Sequence, residues 1–229
     1  MRRGLTEIVY ILDRSGSMSG LEADTIGGFN SMMEKQKKVE GEGLVSTLLF
    51  DNQCEVLHDR INVNDVPVMT EEEYYVRGCT ALLDAVGGAI NHIKNIHKYA
   101  REEDRPEKTI FIITTDGKEN ASCQYSYGKI KKMIEKQQKK EGWEFMFIGA
   151  NIDAYGEAGK LGIKKNRTVN YVHDELGTRN VYAGVAKAVC SVMRATSVQE
   201  VDECLAESGW DEEIVADYNS RAGRNKAKR

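Results

Sequence analysis

Three stretches of this chain place short oxygen-bearing side chains at separate points: Asp13-Arg14-Ser15-Gly16-Ser17, Thr80 within Gly78-Cys79-Thr80-Ala81-Leu82, and Asp116-Gly117. Hydroxyl and carboxylate oxygens are hard donors. Five of them drawn together, Asp13, Ser15, Ser17, Thr80 and Asp116, suit a hard divalent cation. Magnesium asks for a near-octahedral shell at about 2.0–2.1 Å and keeps some of its waters, with manganese or calcium as substitutes. The five include no sulfur and no imidazole. The competing explanation is structural, because Ser, Thr and Asp also cap helices and form turns.

The elements that must carry these residues are legible around them. Asp13 follows Ile8-Val9-Tyr10-Ile11-Leu12 and Asp116 follows Ile110-Phe111-Ile112-Ile113-Thr114-Thr115, continuous apolar runs of the kind found in strands covered on both faces. From Ala81 onward, Leu82, Leu83, Val86, Ile90, Ile93 and Ile96 recur with a helical period, so Thr80 stands at a helix N-terminus. Leu21, Ile26, Phe29 and Met32-Met33 mark a first helix reaching Lys38, and Asp51-Asn52 joins two strands as a hairpin. Thr70 and Glu73 have capping-box spacing, which predicts a short helical turn through Tyr75. Beyond Asp116 the pattern predicts a helix over 126–140, a strand over 143–148, a short helix over 153–161, a strand over 168–172 and a helix over 181–193. This alternation predicts a doubly wound α/β fold with a mostly parallel central sheet, one antiparallel edge strand and helices on both faces. In such sheets ligands sit beyond the carboxyl ends of the strands, where strand order reverses. The chain then divides into a domain over 1–195, a helical extension over 196–220 packed on it with a last helix through Tyr218, and a basic disordered tail over 221–229.

The order DxSxS, then Thr, then Asp resembles the metal-ion-dependent adhesion site of the von Willebrand factor A domain family, with every term present, and the resemblance covers about residues 5–195. It implies that Ser15, Ser17 and Thr80 bind the metal directly, while Asp13 and Asp116 reach it largely through water. It also implies a function without catalysis, in which a position left open on the cation captures a glutamate or aspartate of a partner protein. Small stand-alone domains of this kind resemble bacterial or phage family members linked to stress response and complex assembly.

Bulk properties narrow the setting. A net charge of −4 over 229 residues is not the basic footprint expected of a nucleic-acid binder. No apolar stretch approaches a membrane span, and Met1 to Thr6 leads almost at once into the first strand, which leaves no room for a secretion signal. Five cysteines, an odd number without CxxC spacing, suit a reducing cytoplasm.

Arg14, Glu119, Asn120 and Asn151 are placed to form a rim that selects partners, while Asp153 reads as a helix cap. Cys79 and Cys123 fall at the same edge and read as buried inert thiols. His92 and His97 are five apart, so they do not share a helix face as a zinc pair would. The lysines between Lys129 and Lys140 read as the outer face of an amphipathic helix. Two other functions compete. A magnesium-dependent phosphotransferase using Asp13 would need a second acid where Ser15 stands, and no GxxxxGK loop accompanies it. A structural subunit with a vestigial site is the other.

Overall fold

A computed structural model describes residues 1–226; the final three residues of the expected basic tail lie outside the described residues. The two apolar runs form strands β1 (Arg2–Asp13) and β4 (Pro106–Thr115), which pair in parallel at the centre of the sheet. Strands β2 (Glu42–Phe50) and β3 (Cys54–Asn62) form the expected hairpin, and β5 (Glu144–Ala150) and β6 (Thr168–Tyr171) extend the other side. The order is β3-β2-β1-β4-β5-β6, with β3 alone antiparallel to its neighbour. This is the doubly wound, mostly parallel sheet with one antiparallel edge that the alternation predicts.

Side chains alternate along a strand, so β1 sends Ile8, Tyr10 and Leu12 into one core and Val9 and Ile11 into the other. Strand β4 divides in the same way, with Ile110 and Ile112 against Phe111 and Ile113. Burial on both faces is why these strands read as unbroken apolar runs rather than as alternation. Helices α1 (Glu22–Gln36) and α5 (Glu175–Arg194) cover the first face, joined by α6 (Val201–Glu207) and α7 (Glu212–Lys226), which add Leu205 and Ile214 to its core. Helices α2 (Leu82–Tyr99), α3 (Tyr127–Glu141) and α4 (Ala154–Leu161) cover the second. A Cβ on Gly28 of α1 would fall 2.3 Å from the Tyr182 ring of α5, so these two helices approach as closely as they do only over a glycine.

Three elements depart from expectation. Thr70 and Glu73 do form a capping box, with Glu73 Oε2 accepting from the Thr70 N–H and Oγ1 at 2.7 Å each, but it closes a turn rather than a helix. Helix α5 begins at Glu175, six residues before the apolar period does, because Asp174 caps it by accepting from the Gly177 N–H at 2.9 Å. Helix α7 runs on to Lys226 instead of ending at Tyr218.

From β1 the chain moves to β2 on one side and later returns to β4 on the other. The strand order therefore reverses between β1 and β4, whose carboxyl ends carry Asp13 and Asp116.

Candidate metal centre

At that crevice the loops after β1 and before α2 bring three hydroxyls together. Ser15 Oγ lies 3.1 Å from Ser17 Oγ and 3.1 Å from Thr80 Oγ1. The loop after β4 closes over them, and a Cβ built on Gly117 would sit 3.0 Å from Thr80 Oγ1 and 3.3 Å from Ser17 Oγ. Ser15 and Thr80 are buried, whereas Ser17 is exposed and marks the open side. Among the described residues no group of three or more His, Cys, Asp or Glu side chains converges as a metal site of those types would. The convergence here is of hydroxyls.

The two carboxylates flank the cluster, and other groups already hold them. Asp13 accepts from the Ser15 N–H at 2.7 Å through Oδ1 and from Thr115 Oγ1 at 2.6 Å through Oδ2, while Tyr74 pins its carbonyl at 2.6 Å. Burial pushes the Asp13 carboxyl up to about 6, against the hydrogen bonds from Ser15 and Thr115, and the neighbouring charge of Asp116 adds to the rise. Asp116 accepts from Ser17 Oγ at 2.6 Å through Oδ1. Its Oδ2 stands 2.9 Å from His173 Nε2, and neither of those buried atoms has another partner among the described residues. The contact with Asp116 holds the His173 imidazole above its usual pKa, against the opposing effect of burial.

The expected rim residues have more specific placements. Arg14 has no exposed surface and does not stand on a rim. Its guanidinium turns inward to Asp51 at 3.0 Å and Glu55 at 2.7 Å and stacks with Tyr75, its carbon 5.3 Å from the ring centroid. Burial raises the Asp51 carboxyl, but hydrogen bonds from Arg77, the Gln53 N–H and Arg14 outweigh it and hold Asp51 below the usual range. Glu119 points its carboxylate at the N-terminal turn of α2, accepting from Leu83 N at 2.9 Å and from Ser122 Oγ at 2.7 Å. Asn120 is exposed and clasps Thr80, its Oδ1 accepting from Thr80 N at 2.9 Å and its N–H donating to Thr80 O at 3.0 Å. These two residues tie the Asp116 loop to the Thr80 loop. Asn151 is exposed in the bend after β5, with a left-handed φ of 55°, and Asp153 caps α4 by accepting from Gly156 N at 3.0 Å. Cys79 and Cys123 are exposed rather than buried: both lie on loops over the sheet edge, outside either core.

Sequence reasoning missed His173, Thr115 and Tyr74. His173 carries the same signal as Asn151, since each follows a strand that ends at this edge. Thr115 looked like the last residue of a strand, and Tyr74 like one aromatic among many.

The sequence matches no family model and no curated protein. Solved structures share its fold. The von Willebrand factor domain of the type V pili tip protein Mfa5 from Porphyromonas gingivalis superimposes with a TM-score of 0.58 at 11% identity, over 85% of this chain and 98% of that one. A von Willebrand factor type A protein from Catenulispora acidiphila gives 0.54 at 12% identity, over 82% and 42%. Proximal thread matrix protein 1 from the mussel byssus, solved with a zinc-occupied MIDAS motif, gives 0.53 at 16% identity, over 82% and 46%. The chain spans less than half the length of the last two. What it shares with all three is the doubly wound architecture of von Willebrand factor A domains.

Proposed function

We propose that this chain is an intracellular, metal-dependent protein-binding module. Ser15, Ser17 and Thr80 hold a divalent cation, magnesium by preference, and an acidic side chain of a partner protein completes its shell. One observation carries the reading: the Ser17 and Thr80 hydroxyls each stand 3.1 Å from that of Ser15. Adjacent donors on an octahedral ion with bonds of about 2.0–2.1 Å are about 2.8–3.0 Å apart, so small movements would seat the ion. When bound, the ion supplies a positive charge that a carboxylate can bond.

Neutral hydroxyls leave most of that charge uncompensated. Asp13 and Asp116 balance it from behind, with both oxygens of Asp13 and Oδ1 of Asp116 already engaged by Ser15, Thr115 and Ser17. A position left open on such an ion favours an anion, and a carboxylate on a poorly screened cation is worth more than the ~0.2–1 kcal/mol of an exposed ion pair. Five free thiols, three of them exposed, support a reducing setting. An enzymatic reading would ask for a second acid beside Asp13, and the residue there, Ser15, turns its hydroxyl to Ser17 and Thr80.

The test pairs binding with capture. Calorimetric titration with magnesium or manganese should give heat with wild type and none with Thr80→Ala or Asp116→Ala, while in chelator neither variant melts below wild type. Pull-downs from the native host should lose their partners with either variant. Recovery of the same partners from wild type in excess chelator would sink the reading.

A further inference from the structure

The two carboxylates of the site are held by different means. Asp13 has one oxygen on a backbone N–H and the other on the Thr115 hydroxyl. Asp116 has one oxygen on Ser17, itself one of the three hydroxyls, and the other against His173. If Ser17 turns its lone pairs to a cation, His173 is, among the described residues, the remaining group that fixes the rotation of the Asp116 side chain. A carboxylate beside a metal site serves in one orientation, and losing a group that sets such an orientation typically costs about 10- to 100-fold in metal affinity.

The loop that carries His173 is itself held. Asp174, the next residue, caps α5 through Gly177 N, and a Cβ on Gly177 would fall 1.8 Å from the Val172 carbonyl oxygen, so the chain turns there over a glycine. Arg221 of α7 donates to Asp174 Oδ1 at 3.1 Å and to Asp217 Oδ1 at 2.6 Å. A continuous set of contacts thus runs from the C-terminal helix through Asp174 and His173 to Asp116.

We propose that His173 is a positioning residue of the metal centre, holding Asp116 Oδ2 through its Nε2, and that Arg221 braces it through Asp174. This rests on the metal-binding reading above, which it deepens with a residue outside the DxSxS, Thr and Asp pattern. The imidazole need not touch the ion. Its role is to keep Asp116 aligned toward the hydroxyl cluster.

Manganese is the probe, titrated calorimetrically into the full chain at pH 7.5 with melting temperatures recorded in chelator. His173→Ala should weaken manganese binding by about 10- to 100-fold, the usual effect of losing such an orienting partner. His173→Gln, whose amide can donate to the same oxygen, should recover binding to within a few-fold of wild type. His173→Leu keeps apolar bulk in the loop and should bind as weakly as His173→Ala. Arg221→Ala should weaken binding less than His173→Ala does. A wild type that binds manganese alongside a folded His173→Leu that binds it equally would overturn the assignment and leave the metal reading standing. Equal weakening in the Gln and Leu variants would overturn it too, because packing alone would then explain the effect. A wild type with no manganese heat would remove both readings.

Discussion

The amino ends of the strands and the crevice between the carboxyl ends of β1 and β4 treat buried charge in opposite ways. Toward the amino ends of the strands, Glu7 is wholly buried yet lies 3.0 Å from Arg60 and 3.1 Å from His97. Glu144 meets Arg167 at 2.9 Å, and buried Lys108 donates to the carbonyls of Met193 and Ala195 at 3.0 and 2.6 Å, where the end of α5 favours a cation. Each charge there is answered from within the protein. At the carboxyl ends of β1 and β4, Asp13 and Asp116 share an edge with three hydroxyls and a single imidazole, and among the described residues Asp116 Oδ2 meets no polar group but that imidazole. Buried charge is tolerated where it is paired and hydrogen-bonded. The amino end is closed in that sense, and the carboxyl end carries a surplus of negative charge that a cation would settle.

Removing a carboxylate should therefore destabilise one end and relieve the other. Glu7→Ala leaves a buried histidine and a partly buried arginine without their partner, and we expect a loss of about 3–5 kcal/mol in urea unfolding with manganese titration unchanged. A loss below about 1 kcal/mol would mean the amino end is not closed as described. Asp13→Asn should do the reverse. With its carboxyl raised from 3.8 to about 6 by burial, the ionised side chain costs about 3 kcal/mol at pH 7, since each tenfold change in a proton's binding constant is worth ~1.4 kcal/mol. In chelator the asparagine variant should gain about 1–3 kcal/mol while losing manganese heat. A less stable variant would contradict the account of Asp13.

The pH dependence follows with a definite sign. Because the folded state raises this pKa, native Asp13 binds more protons than unfolded Asp13 between about pH 4 and 6. Its contribution is fully present below the unfolded value and is lost as pH rises through about 6. Urea unfolding in chelator should show stability falling by up to about 3 kcal/mol across that window. Millimolar magnesium should flatten the fall, since a ligand of the native state adds stability where the carboxylate is ionised. Parallel curves with and without magnesium would separate Asp13 from the metal.

How far the site could be read from sequence depends on what each residue advertises. Ser15, Ser17 and Thr80 declared themselves because small hydroxyls in a fixed order at strand ends have few other uses in combination, and the strand rule put them on one edge. Arg14 misled because position in a loop says nothing of direction: a long side chain between Asp13 and Ser15 turned inward to Asp51, a partner 37 residues away. His173 stayed hidden because its only signal is following a four-residue strand, and its partner Asp116 comes from a loop on the far side of β5. The first six residues of α5 were missed because a polar turn is held there by a cap rather than by an apolar period. Local chemistry and hydrophobic period were legible, and pairings across the fold were not.

The finest separation of the two ends comes from a pair of glycines. A Cβ on Gly117 would intrude between Thr80 Oγ1 and Ser17 Oγ, at 3.0 and 3.3 Å, yet its φ is not in the left-handed region, so the backbone accepts alanine. At the other end, Gly142 ends α3 with a φ of 65°, and a Cβ there would fall 2.6 Å from Val198 Cγ1. Gly142→Ala should cost about 1 kcal/mol or more of stability, the usual penalty for a side chain in that conformation, and leave manganese affinity untouched. Gly117→Ala has no backbone conflict and meets the far ends of two side chains, so it should cost no more than about 1 kcal/mol of stability. Its methyl would occupy the room between two donors, so manganese binding should fall at least tenfold. Undiminished affinity in Gly117→Ala would place the ion somewhere other than among the three hydroxyls, because no cation of that size could share the space with the added carbon.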